Sequence, residues 1–221
     1  MITKRIYVLI FSLFTVSCAS ISQSVAPGYV EAIKTIKGLI VGYENELITP
    51  TLVKNIPYAS SILKIGKGAP GLIILENKGK EKETWVSEDG IYLVFEEGRV
   101  VQTSGFFNNL TNFKSVKNNF ASLMDTNETQ FLIYYYSYDS PELINMRVEA
   151  SRRFVRKEKV KLLNREEELY LIEEQIVNEY IGWKVINKFW VDNDMFVWKS
   201  EQYISPKLPK FYIEVTKKPA G

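Results

Sequence analysis

The sequence predicts a mainly β protein built by antiparallel pairing, with one helix ahead of the strands and one short helix among them. Three observations carry this prediction. Short runs of β-branched and aromatic residues recur between turn dipeptides over most of the chain. Aromatic side chains, which suit a pleated and half-buried surface, are plentiful: 13 Tyr, 12 Phe and 4 Trp. Helical spacing of apolar residues is confined to a few stretches.

The chain opens on a segment that is not part of any fold. Lys4 and Arg5 precede an apolar run from Ile6 to Val16, and Thr15-Val16-Ser17 leads into Cys18, the only cysteine in the chain. A run this short does not cross a bilayer, so residues 1–17 read as an export signal. Small residues ahead of a lone cysteine fit a bacterial lipoprotein cleavage site, with Thr15 standing where Leu is usual. An ordinary secretory signal with an incidental cysteine is the alternative. Lipid attachment at Cys18 is the expectation, followed by a small polar tether over residues 18–27 and one domain over 28–221.

After Pro27, Val30, Ile33, Ile36 and Ile40 recur at helical spacing, which predicts an amphipathic helix over residues 28–42. Its apolar stripe has two possible destinations, the domain or a membrane surface. Pro50 and Pro57 are then read as breaks in regular structure. Five strands follow at 60–65, 72–77, 83–87, 91–96 and 99–104, a pattern of an antiparallel meander. Glycine-bearing turns such as Lys78-Gly79-Lys80, Asp89-Gly90 and Glu97-Gly98 separate them. Phe113, Val116, Phe120 and Leu123 predict the short internal helix. The run from Gln130 to Tyr138 opens a second strand series near 144–155, 158–163, 166–179, 183–191, 195–204 and 210–216. Leu169, Ile172, Ile176 and Tyr180 also fit a helix, so residues 165–180 are ambiguous by periodicity.

Composition narrows the function. Removing Lys4 and Arg5 with the signal brings the 28 basic residues level with the 26 acidic ones, which gives nucleic-acid binding no support. The chain has no histidine, which removes Ser-His-Asp and Cys-His catalysis and histidine zinc sites. With its one thiol lipidated, no disulfide or cysteine metal site remains. No enzyme activity, metal or cofactor is expected, although a carboxylate pair stays chemically possible.

Four groups of residues are candidate sites. Trp85, Ser87 and Asp89 could offer a sugar-stacking ring beside two polar groups, or a core-facing strand ending in a turn. Trp190 and Asp192 read first as a strand running into a turn, with a binding role as the alternative. Pro57 and Tyr58 set the entry angle of the first strand. Arg152, Arg153 and Arg156 head a basic cluster that either pairs across strands with Glu166-Glu167-Glu168 or forms a patch for anionic polysaccharide or lipid headgroups.

An ordered set of strings makes the chain resemble a known family, the YjbF-type, group 4 capsule (GfcB-like) lipoproteins of bacterial envelopes. They are Cys18; Ile56-Pro57-Tyr58-Ala59-Ser60; Trp85-Val86-Ser87-Glu88-Asp89; Gly98-Arg99; Asn108-Asn109-Leu110; Phe189-Trp190-Val191-Asp192; and the C-terminal strand leading to Lys217-Lys218-Pro219-Ala220. The resemblance implies a partly open, barrel-like or sandwich-like antiparallel sheet, and tips residues 166–179 to strand. It implies an accessory lipoprotein of exopolysaccharide or capsule export that works with an outer-membrane β-barrel protein and other polysaccharide-secretion proteins. It brings no catalytic residues. Ala19 after the cysteine points to the outer membrane, periplasmic face. A carrier of lipid or lipid-linked glycan, with an apolar cavity, is the second reading, and a carboxylate-dependent glycan hydrolase the third.

Overall fold

Twelve strands hydrogen-bond into one antiparallel sheet in the computed structural model, which describes residues 48–115, 120, 123 and 128–220. The strands are β1 (Ser60–Ile65), β2 (Gly71–Lys78), β3 (Lys82–Ser87), β4 (Tyr92–Glu96), β5 (Arg99–Ser104) and β6 (Leu110–Ser115). They continue with β7 (Gln130–Asp139), β8 (Glu142–Lys161), β9 (Glu166–Asn178), β10 (Trp183–Val191), β11 (Val197–Gln202) and β12 (Phe211–Lys217). Each pairs with its neighbour in sequence, except that β1 pairs with β12 and leaves β5 and β6 at the two ends of the sheet. The sheet curls until those ends meet, so the result is a nearly closed, barrel-shaped, up-and-down sheet.

Side chains close the seam where the ladder stops. Leu110 N donates to Thr103 Oγ1 at 2.9 Å, and Gln102 Nε2 donates to the Thr111 carbonyl at 2.8 Å. Gln202 of β11 reaches β5 from another wall. Its Oε1 accepts from Val100 N at 3.0 Å and its Nε2 donates to the Gly98 carbonyl at 2.9 Å.

The alternation of strand residues fills the interior. Leu93, Leu110, Phe113, Tyr134, Tyr136, Val148, Ile176, Trp183 and Phe211 pack there as one buried cluster. Phe120, Ile172, Phe189, Val191 and Val197 form a second cluster. A third lies on the opposite face, because Trp190 alternates with Phe189 and Val191. It comprises Val160, Leu162, Leu169, Leu171 and Trp190. The long β8–β9 hairpin produces it. An irregularity between Phe154 and Arg156 bends the hairpin, and Leu163 N then donates to Glu214 Oε1 of β12 at 2.5 Å.

Several sequence expectations are corrected. Pro50 does not break structure. It opens a short helix, α1 (Pro50–Asn55), whose cap Thr49 accepts Leu52 N at 3.2 Å, because the first helical turn needs no proline N–H. Phe113 is not helical: it lies in β6, pairs with Tyr136 and faces inward, so residues 113–115 are strand. The rest of that proposed helix lies mostly outside the described residues. Residues 144–155 and 158–163 are one strand interrupted by the irregularity, not two. The ambiguous segment 165–180 is strand through Asn178, as the resemblance implied. The expected helix at 28–42 and Cys18 lie outside the described residues.

Candidate functional site

Two features stand out in the barrel, which also buries polar side chains such as Arg152, Asn187 and Gln202. The first is an ion pair that crosses the interior. Arg99 of β5 and Glu174 of β9 meet at 2.5 Å with side chains 2% and 0% exposed. Tyr134 Oη donates to the same carboxylate oxygen at 2.7 Å. The Arg99 guanidinium also lies 5.2, 5.1 and 5.0 Å from the ring centres of Phe113, Tyr134 and Phe189, an aromatic cage for a cation. Burial pulls the Arg99 pKa down, but Glu174 outweighs it and the net shift is upward. Burial pushes the phenols of Tyr134, Tyr136 and Tyr138 well above their ordinary value. No tyrosine of this group is poised to ionise near neutral pH.

The second feature is a cavity of about 500 Å³ at the barrel end where β1 begins. Antiparallel alternation puts the β2–β3, β4–β5 and β10–β11 turns at that same end. Trp85 and Phe95 form its inner wall, with Phe120, and meet edge to face at 6.2 Å. Phe196 and Trp198 form the outer wall and meet edge to face at 4.8 Å. Glu81, Glu83, Glu97 and Asp194 supply carboxylates, and Lys78, Lys80, Lys199 and Lys218 supply ammonium groups. Partial burial, with Glu96 beside it, raises the Glu97 carboxyl above its usual range, against the opposing pull of Arg152. The β4–β5 turn is shaped by Glu97 and Gly98 at φ 48° and 76°, and Gly98 packs so closely on Val197 that no side chain fits.

The predicted site residues do not converge. Trp85 faces inward and donates through Nε1 to Glu83 Oε2 at 3.2 Å. Ser87 and Asp89 hydrogen-bond each other at the opposite end of β3, and Ser87 Oγ accepts Ile91 N at 3.0 Å. Trp190 lies on the outer face and donates to Glu158 Oε1 at 2.7 Å. Asp192 organises its turn. Its Oδ1 accepts the N–H groups of Asp194 and Phe196 at 2.9 and 3.0 Å, and its Oδ2 accepts Trp198 Nε1 at 2.8 Å. It thereby holds the outer wall of the cavity in place. Pro57 follows α1, and Tyr58 is exposed beside it.

The three arginines do not share a face, which corrects the idea of one patch. Arg152 is 1% exposed, its guanidinium 4.9 Å from the Phe120 ring and 3.0 Å from Gln130 Oε1. Arg153 and Arg156 point to solvent, where they meet Glu173 at 3.2 Å and Glu158 at 2.6 Å. Strand alternation turns neighbouring residues to opposite faces, so a run of basic residues does not give a continuous surface. Sequence reading missed Arg99 and Glu174 as partners. The available signal was the period-two alternation that puts Glu174 on the face of Ile172 and Ile176.

The fold and its interior define a class: a single-sheet antiparallel barrel with a filled interior and one aromatic-walled mouth. The comparisons then give the family. Residues 33–216 match the model of the group 4 capsule polysaccharide lipoproteins GfcB and YjbF, and the chain belongs to that family. Among its relatives in Escherichia coli K12, the uncharacterized lipoprotein GfcB is 25% identical over 46% of this chain, a match spanning 44% of that protein. The uncharacterized lipoprotein YjbF is 23% identical over 71% of this chain and 74% of its own length. The crystal structure of the hypothetical lipoprotein YmcC from the same organism superposes with a TM-score of 0.63 at 17% identity. It covers 86% of this chain and 96% of that one, and so shares the fold.

Proposed function

We propose that this chain is a lipid-anchored accessory protein of capsule or exopolysaccharide export, held through Cys18 on the periplasmic face of the outer membrane. It acts by binding partner envelope proteins, an outer-membrane β-barrel among them, and not by catalysis. The observation that carries this reading is the family match across residues 33–216, which takes in nearly the whole barrel. Anchoring confines the domain to one surface and so raises its effective concentration near partners there. Several acyl chains on one cysteine would hold it firmly, where one chain binds reversibly. Exposed Leu143, Ile144, Tyr180 and Ile181 on neighbouring turns at the end away from the cavity support a docking role.

The carrier reading has less support. It asks for an apolar cavity, and the cavity of about 500 Å³ at the β1 end is lined by four carboxylates and four ammonium groups as well as by rings. Gene deletion complemented by wild type or Cys18→Ser tests the proposal. Deletion should lower surface polysaccharide, the wild type should restore it, and in-envelope crosslinking should trap an outer-membrane protein. The serine form should leave the membrane fraction and fail to complement. Full complementation by a soluble Cys18→Ser form would refute the anchored role.

A further inference from the structure

We infer that the cavity at the β1 end of the barrel is a saccharide-binding site that takes a short, uncharged run of sugar residues. Its volume of about 500 Å³ lies within the range of small-ligand pockets. Its walls carry the two kinds of group a sugar needs. Phe196 and Trp198, both half-buried, provide apolar ring surface for the C–H faces of pyranose rings, and Trp85 and Phe95, 3% and 7% exposed, close the floor beneath them. Around them, carboxylates accept from hydroxyl groups and ammonium groups donate to them.

The charge pattern selects the class of sugar. Glu81, Glu83, Glu97 and Asp194 match Lys78, Lys80, Lys199 and Lys218 in number, so the mouth carries no net charge to draw a polyanion. Among the described residues no salt bridge joins any two of these eight. They are spread round the rim, where hydroxyl groups could meet either sign. An acyl chain would suit the rings but would meet a mouth lined by eight charged groups. The outer wall is braced from behind. Asp192 fixes the Trp198 indole, and the Arg165 guanidinium lies 4.1 Å from its ring centre. This assignment deepens the export role proposed above and rests on it only for the source of the sugar.

The four tryptophans make the test local. Trp85 and Trp198 line the cavity, whereas Trp183, which shares the main core with Trp85, and Trp190, on the outer face, do not. Protein extracted from membranes in detergent and labelled with 5-fluorotryptophan would be titrated with di- to tetrasaccharides released from the producing cell's own surface polysaccharide, followed by ¹⁹F NMR. The Trp85 and Trp198 signals should move and those of Trp183 and Trp190 should stay. Glu97→Gln and Asp194→Asn, both on surface turns, should each weaken binding about tenfold with unchanged thermal stability, and added salt should change affinity little. Absence of any shift, shifts confined to Trp183 or Trp190, or full affinity in both variants would overturn the site. Affinity that collapses with salt would overturn the uncharged class. Loss of polysaccharide on gene deletion without these signals would remove the cavity assignment and leave the export role standing. Cavity binding without any effect of deletion would do the reverse.

Discussion

Removing either charge of the Arg99–Glu174 pair should be far more damaging than removing both. Arg99→Met leaves the Glu174 carboxylate, 0% exposed, without the guanidinium it pairs with. Stripping one partner from a buried pair costs about 3–5 kcal/mol, and for a chain of this size that is roughly a 6–20 °C fall in melting temperature. Glu174→Gln should cost less, because the guanidinium keeps its three rings and the amide can still accept from Tyr134 Oη. The double variant removes both charges of the pair and leaves Arg152, 1% exposed beside Gln130, as the buried cation, and methionine fills much of the arginine volume, so it should recover most of the loss, to within ~1–2 kcal/mol of wild type. Urea unfolding of the four proteins gives the coupling energy directly. A double variant as unstable as Arg99→Met, or a Glu174→Gln form less stable than Arg99→Met, would refute the account of charge compensation inside an aromatic cage.

Two further outcomes follow from the same interior. Tyr134, Tyr136 and Tyr138 have folded pKa values raised by burial, whereas in the unfolded chain a phenol titrates near pH 10. Above that value the unfolded state releases protons that the folded state keeps. Stability present below about pH 10 is therefore lost as pH climbs toward the folded values, at up to ~4 kcal/mol per pH unit for three groups. Urea midpoints measured from pH 8 to 11.5 check this, and a flat profile would contradict it. At the β4–β5 turn, Gly98→Ala adds a Cβ 2.4 Å from the Val197 side chain at φ 76°. The backbone penalty of ~1–2 kcal/mol and the overpacking penalty of ~1–3 kcal/mol should both appear. Val197→Ala in the same chain should not restore stability, because the Val197 Cβ that alanine keeps is itself one of the atoms the new side chain meets, as read by thermal melting.

Much of the sheet was legible because its strands are short, apolar in alternation and cut by glycine turns. β1, β5 and β10 fall where the turn chemistry places them. The errors have local causes. Phe113 matched a helical spacing with Phe120 and Leu123, but it pairs with β7 in a strand that ends at Ser115. Pro50 reads as a breaker when taken alone, whereas the capping Thr49 ahead of it makes it the first residue of a helix. The site was harder to read. Its eight charged groups come from strand ends and turns, several of them far apart in sequence, and only the closing of the sheet brings them to one mouth. Several strings that carried the family resemblance are structural. Gly98-Arg99 is the tight turn and the buried cation. Asn108 and Asn109 tie down the far end, where Asn109 Nδ2 donates to Asp139 Oδ2 at 2.7 Å. Asp192 braces Trp198.

That structural use of the strings bears on how the barrel meets partners. A sheet whose ladder stops between β5 and β6 would ordinarily present two edges ready to accept another strand. Here each edge is partly occupied by side chains. Gln202 takes up Val100 N and the Gly98 carbonyl, Thr103 takes up Leu110 N, and Gln102 takes up the Thr111 carbonyl. Arg99 and Glu174 then pin β5 to β9 through the middle of the barrel, so the seam is fastened from inside as well as along its length. Strand addition at this seam would have to displace four side-chain hydrogen bonds and disturb a buried ion pair before gaining any of its own. Under the docking role proposed above, recognition would fall to the ends of the barrel, where turns and exposed side chains such as Ile144 and Tyr180 could make new contacts without undoing old ones.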